Sequence, residues 1–119
     1  MKVAITTQGP DSASPVDPRF GRARFFRIVD TESGQQTTVG NAEGMNAVQG
    51  AGTQAVQTLA RLGVQAVLTG HVGPKAWSAL QAAKIQMYSV TSGSAEAACQ
   101  AFLAGQLSML TPAEAPGHA

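Results

Sequence analysis

At 119 residues, 44% of them hydrophobic, the chain is long enough to bury one apolar core without staples. Only 13% of its residues are charged, against a usual ~25%, and the formal net charge is +1, which excludes a general nucleic-acid or membrane-surface binder. A single cysteine, Cys99, excludes an intramolecular disulfide and a thiolate cage. Any anion bound must meet a local cluster of positive charge. Met1-Lys2-Val3-Ala4-Ile5 carries one charge and a short apolar run, so it reads as a strand and not a signal peptide. No stretch approaches the ~18 apolar residues of a membrane helix, and a cytoplasmic protein is expected.

Residues 2–7 form the first strand, closed by the turn cluster Gln8-Gly9-Pro10-Asp11. The following loop, to about Arg22, carries Arg19 and Arg22; with Arg24 these are three of the five arginines within six residues. Pro15, Pro18 and Gly21 restrict or shape its backbone, and Phe20, Phe25 and Phe26 can pin it to a core. The residues alone leave two readings open: an anion receptor, or an ordered connection kept soluble by its arginines. Residues 24–30 read as a second strand, Thr31-Glu32-Ser33-Gly34 as a hairpin turn, and 36–39 as a third strand antiparallel to the second.

A polar connection with Gly44, Gly50 and Gly52 leads into a helix over 51–62, where Ala55, Val56, Leu59, Ala60 and Leu62 recur at helical spacing. Gly63 stops it. Residues 65–69 fit a buried strand. After Gly70-His71-Val72-Gly73, Pro74 suits the first position of a second helix, whose inner face holds Ala76, Trp77, Leu80 and Ala83. Residues 85–90 form a further strand. Ser94 then caps a third helix with Ala95, Ala98, Cys99, Phe102 and Leu103 on one stripe, ended by Gly105. Residues 1–107 are expected to be a single α/β domain and 108–119 a flexible tail.

The order β-β-β-α-β-α-β-α, with right-handed crossovers, predicts a mixed five-stranded sheet with helices on its faces. The first, fourth and fifth strands then share a carboxyl edge with Arg22, Arg24, the glycine-rich connection and residues 70–74 and 91–94. Ligands of open α/β sheets bind at this rim. Up to three helix N-termini are expected to converge there, each offering N–H groups and roughly +0.5 of an elementary charge, with Gly50, Gly52 and Gly73 allowing close approach.

Among single residues, His71 is either a ligand for a soft or borderline metal or a helix-cap histidine. Met45 is either a thioether for copper(I) or a loop anchor. Cys99 reads as a buried structural thiol, Trp77 and Met87 as core. Asp17 caps a turn or orients Arg19 through a salt bridge. Catalytic readings fare poorly: there are three aspartates and four glutamates, and no HExxH, CxxC, GxSxG or Walker A pattern. A two-metal nuclease needs paired carboxylates, and the first strand supplies none.

The combination Pro18-Arg19-Phe20-Gly21-Arg22-Ala23 before Phe25-Phe26, then Gly50-Ala51-Gly52-Thr53-Gln54-Ala55 and Gly70-His71-Val72-Gly73-Pro74-Lys75-Ala76, resembles the dinitrogenase iron-molybdenum cofactor biosynthesis family (NifX-like and NifB-C-terminal-like domains) over about residues 1–107. The resemblance implies a ribonuclease H-like fold and a carrier, not an enzyme. Its cargo would be an anionic metal–sulfide cluster exchanged with donor and acceptor proteins, with no nucleic-acid or membrane partner; the chain would act as a monomer. In size the chain resembles the orange-protein group, which implies a molybdenum–copper sulfide first and iron-molybdenum cofactor or its precursor second. The remaining alternative is a phosphate or nucleotide sensor. The implied binding residues are Arg19, Phe20, Gly21, Arg22, Arg24, Gly50, Gly52, Thr53, His71 and Gly73, with His71 and Met45 as candidate metal ligands. One departure matters: family members that bind the iron-molybdenum cofactor often carry histidine before the Phe-Gly pair, where this chain has Arg19. An arginine does not ligate iron, so the substitution points to electrostatic, non-covalent capture.

Overall fold

The computed structural model describes residues 1–41 and 51–110. Along them run β1 (Lys2–Thr7), β2 (Phe25–Asp30), β3 (Gln36–Gly40), α1 (Ala51–Arg61), β4 (Ala66–Thr69), α2 (Pro74–Ala82), β5 (Gln86–Ser89) and α3 (Ala95–Leu103). This is the expected order, with small shifts at element ends. The strands form one mixed sheet in the order β3-β2-β1-β4-β5. β1 pairs antiparallel with β2 and parallel with β4, and β4 pairs parallel with β5.

Central strands are covered on both faces and therefore read as continuous apolar runs. Val3 to Thr7 of β1 and all four residues of β4 are buried. Successive side chains alternate between faces, which divides the interior in two. On one face Ala4, Phe26, Val67 and Met87 pack with Val56 and Leu59 of α1 and Ala76 and Leu80 of α2. On the other, Val3, Ile5, Val29 and Leu68 meet Ala95 and Ala98 of α3. Leu59 and Leu80 are fully buried, each worth about 2–3 kcal/mol relative to exposure.

All three helices end in the same Schellman arrangement. Gly63 (φ +78°) closes α1, Val64 N–H donating to Leu59 O and Gly63 N–H to Ala60 O. Gly105 (φ +72°) closes α3 through Gln106 N–H to Ala101 O. In α2 the left-handed position is filled by Lys84 (φ +59°), with Ile85 N–H donating to Leu80 O.

The segment expected to leave the fold at 108 stays with it through Leu110. β5 is a sheet edge whose backbone groups need partners. Ser89 N–H donates to Ser108 O at 2.8 Å, Leu110 N–H to Met87 O at 2.9 Å, and Met109 bridges Tyr88 antiparallel. Leu110 is buried in the α1/α2-side core. Residues 111–119 lie outside the described residues. Among the described residues no helix is long and apolar enough to cross a membrane.

Candidate functional site

The loop between β1 and β2 is tied down along both halves. Its first half runs against α3: Val16 N–H donates to Gly93 O, while Ala95 and Glu96 N–H donate to Ser14 O and Ser12 O. Its second half runs against the β4–α2 turn, where Gly70 N–H donates to Pro18 O (3.2 Å) and Phe20 N–H to His71 O (3.1 Å). Gly70 is required there, because a Cβ would stand 2.9 Å from Pro18 Cβ and from Thr91 Cγ2, and 3.1 Å from Pro18 O. Phe20 is buried beside Phe26, ring centroids 6.2 Å apart, and pins the loop to the α1/α2-side core. Phe25 is only half-buried. Buried Asn41 closes the end of the loop, its Nδ2 donating to Gly21 O and Ala23 O and its N–H to Arg24 O.

These constraints build a cleft of about 480 Å³ at the carboxyl rim. The β1–β2 loop contributes Arg19, Phe20, Gly21 and Arg22; the start of α1 contributes Gly52 and Thr53; the β4–α2 turn contributes His71 and Gly73. The structure therefore brings together eight of the residues expected to bind. Arg24 is exposed and does not line the cleft. Gly50 and Met45 lie outside the described residues. Pro74, Lys75 and Ala76 complete the lining. Lys75 was not expected; its only sequence signal is its place one residue after the proline that opens α2. Gly52 lets α1 and α2 close on each other, since a Cβ there would come within 2.7 Å of Ala76 Cβ.

Two helix N-termini face this cleft, not three. α2 starts at an extended Gly73 cap (φ −67°, ψ 164°), with no side chain accepting its first N–H groups and no acid in its first turn. α1 also lacks an acid in its first turn. α3 lies on the opposite face, and its N-terminus is already saturated. Ser94 Oγ accepts from Ala97 N–H at 3.1 Å, Glu96 sits in the first turn, and the loop carbonyls of Ser12 and Ser14 take the remaining N–H groups.

The cationic groups differ in their surroundings. Arg19 Nε lies 3.2 Å from Asp17 Oδ1, the arginine side chain 66% exposed and the aspartate side chain 2%. The Asp17 carboxylate, first through its hydrogen bond and then through its charge, holds the Arg19 guanidinium still more firmly protonated than usual. Lys75 is exposed and has no ion-pair partner among the described residues. His71 is exposed, and its backbone bridges Arg19. No group of three or more His, Cys, Asp or Glu able to hold a metal occurs among the described residues. Cys99 lies elsewhere, half-buried under α3, where burial pushes its thiol up. A recess of about 220 Å³ beside it has Asp30 and Glu96 in its lining, which disfavours an anion. The cleft thus offers cations and backbone donors beside the exposed apolar surface of Pro74, a combination suited to a multiply charged anion.

Comparison with known proteins shows the family and the fold. The family model described as dinitrogenase iron-molybdenum cofactor matches residues 1–105. An uncharacterized protein of Methanocaldococcus jannaschii is 31% identical over 112 residues, covering 90% of this chain and 89% of its own length. The apo form of the orange protein from Desulfovibrio gigas superposes with a TM-score of 0.89 at 41% identity, covering 92% of each chain. A NifB-type protein from Thermotoga gives a TM-score of 0.83 at 38% identity, over 92% of this chain and 93% of that one.

Proposed function

Since the chain belongs to the dinitrogenase iron-molybdenum cofactor family, we propose that it is a non-enzymatic carrier that holds an anionic metal–sulfide cluster non-covalently in the rim cleft. A molybdenum–copper sulfide is the first cargo. The observation that carries this reading is the make-up of the cleft, in which Arg19, Arg22, Lys75 and the starts of α1 and α2 stand around the exposed Pro74. Its volume of about 480 Å³ falls in the ~300–1,000 Å³ range of small-molecule sites.

The mixture of cation and apolar wall separates sulfide from phosphate. Phosphate oxygens are strongly hydrated and lose free energy against an apolar wall unless every lone pair is met. Sulfide edges are larger, softer and less hydrated, so they tolerate the exposed Pro74 on one side while their charge is met on the other. Arg19 offers hydrogen bonds without ligating metal, which leaves the cluster intact for transfer to an acceptor protein. His71 lines the same cleft and, among the described residues there, is the side chain with a lone pair suited to a metal.

Protein from its native source should carry sulfide-to-metal charge-transfer colour, with molybdenum and copper in elemental analysis. Apoprotein incubated with tetrathiomolybdate and copper(I) should keep that colour through gel filtration, and an Arg19→Ala/Arg22→Ala variant should lose much of it. A colourless wild type after reconstitution removes the first cargo. Iron together with molybdenum in the native protein would instead identify iron-molybdenum cofactor or its precursor, the cargo favoured by the family description.

A further inference from the structure

We infer that Asp17 is a positioning residue that turns Arg19 into an oriented donor fork: it fixes the guanidinium at the cleft and cancels its charge, so that Arg19 selects by hydrogen-bond geometry and not by field. The inference rests on the cleft being the anion site proposed above.

Asp17 is only 1% exposed and is fastened to the middle of the sheet. Its N–H donates to Thr6 O at 2.8 Å, and its carbonyl oxygen lies 2.6 Å from Thr6 Oγ1, which is itself 2.9 Å from Thr69 Oγ1. Thr6 of β1 therefore holds its backbone at two points, and Thr69 of β4 holds the Thr6 hydroxyl. From this base Oδ1 accepts the Arg19 main-chain N–H (2.9 Å) and Nε–H (3.2 Å), while Oδ2 accepts from Nη2 (3.3 Å). The side-on, two-point pairing defines the guanidinium plane. A guanidinium has five N–H donors. Both Nη1 hydrogens and one on Nη2 remain without a partner among the described residues, on a side chain that lines the cleft.

A solubilising arginine needs no buried counter-charge, and placing a carboxylate out of water is costly unless it is paired. Nor does a residue serving only as a source of positive field gain from a carboxylate at 3.2 Å, which cancels that field a short distance away. Orientation is what the arrangement does supply. The uncompensated field at the cleft comes instead from groups such as Lys75, which has no ion-pair partner among the described residues.

The two accounts differ in sign for Asp17→Asn. Asparagine keeps an oxygen for the Arg19 main-chain N–H and Nε–H, but its amide hydrogens replace the acceptor of Nη2, so the two-point pairing that defines the guanidinium plane is lost while the cleft gains one positive charge. A field account makes a dianion bind about two- to fivefold tighter at low salt. Positioning makes it bind about three- to tenfold weaker, because the guanidinium must be ordered on binding. The probe is tetrathiomolybdate alone, its affinity measured by equilibrium dialysis on wild type, Asp17→Asn, Arg19→Gln and the double variant. We expect Asp17→Asn to weaken binding and not to weaken it further in the Arg19→Gln background, the non-additivity of residues acting as one unit. Arg19→Lys, which keeps the charge and loses the fork, should weaken binding similarly and serves where Asp17→Asn does not fold. Unchanged or tighter binding by Asp17→Asn, or an unchanged Arg19→Lys, overturns the inference and leaves the carrier reading standing. A wild type that binds no tetrathiomolybdate overturns the carrier reading and this inference with it.

Discussion

Two glycines three residues apart, Gly70 and Gly73, allow the support of the cleft to be separated from its surface. In Gly70→Ala the new methyl would meet Pro18 Cβ and Thr91 Cγ2 at 2.9 Å and the Pro18 carbonyl oxygen at 3.1 Å. The last of these belongs to backbone and cannot rotate away. Overpacking of this kind costs about 1–3 kcal/mol. Displacing the loop also strains the Gly70–Pro18 and Phe20–His71 hydrogen bonds (3.2 and 3.1 Å), at about 0.5–1.5 kcal/mol each. A net loss of about 2–6 kcal/mol follows, which at ~4 °C per kcal/mol for a chain of this size lowers Tm by about 8–24 °C. Gly73→Ala should behave differently, since nothing lies within 4 Å of its added Cβ and its φ of −67° suits any residue. The lost preference for glycine at the cap and the reduced unfolded-state entropy offset each other, leaving stability within about 1 kcal/mol of wild type. The methyl nonetheless stands in a cleft-lining position and should reduce retention of tetrathiomolybdate. Calorimetric melting and gel-filtration retention, measured on both variants, check the pair. A Gly70→Ala protein as stable as wild type would refute the close approach of loop and turn. Full retention by Gly73→Ala would place the anion away from the start of α2.

Lys84→Gly should stabilise the fold by about 1 kcal/mol, because Lys84 holds φ +59° in the closing position of α2 and a left-handed Cβ is disfavoured by that much; urea unfolding reads the change. Asp30 accepts the Glu32 and Ser33 N–H groups in the β2–β3 turn, chiefly Glu32, and these bonds hold its carboxyl below the ordinary carboxylate range. With the folded value below the unfolded one, its stabilisation is present above the ordinary aspartate pKa of ~3.9 and disappears as pH falls through the folded value. Wild type should therefore exceed Asp30→Asn in Tm at pH 7 and lose that advantage near pH 2. Cys99→Ser should leave tetrathiomolybdate retention unchanged, and the native thiol should react slowly with aromatic disulfides at neutral pH because burial raises it.

The sheet was legible because apolar period and run length encode it directly. β1 and β4 are continuous apolar runs, and they are the strands buried on both faces. Gly63 and Gly105 were legible as helix stops because left-handed closure favours glycine. The α2 stop was not, since Lys84 adopts that conformation without the residue that signals it. Most of the cleft followed from topology, which carries residues 19–22 and 70–75 to one edge. What escaped depends on contacts with no side-chain signature. The N-terminus of α3 is satisfied by main-chain carbonyls of Ser12 and Ser14, and any residue could supply those. Asn41 acts through two carbonyls around the loop end, yet in sequence it is one polar residue in a polar connection. Leu110 folds back because β5 leaves an unpaired edge, a fact of strand order and not of the tail's composition.

The starts of α2 and α3 show how a chain of net charge +1 can still build an anion site. α3 begins with what a helix start favours: a side-chain cap at Ser94, Glu96 in the first turn, and loop carbonyls on its remaining donors. α2 begins with a glycine cap, a proline, no acid, and Lys75 beside the positive end of the helix. A glycine cap in place of serine costs about a few tenths of a kcal/mol, and a cation in place of an acid in the first turn costs about 0.3–1 kcal/mol more. Local preferences that fail together are expected at functional positions. In the carrier reading an anion in the cleft supplies to α2 what Ser94 and Glu96 supply to α3, so its charge is met by a helix start that has no side-chain cap among the described residues. Such a site needs few formal charges. It also explains why one of them, Arg19, can be neutralised by Asp17 and still contribute: its part is to orient a ligand whose charge the start of α2 and Lys75 already attract.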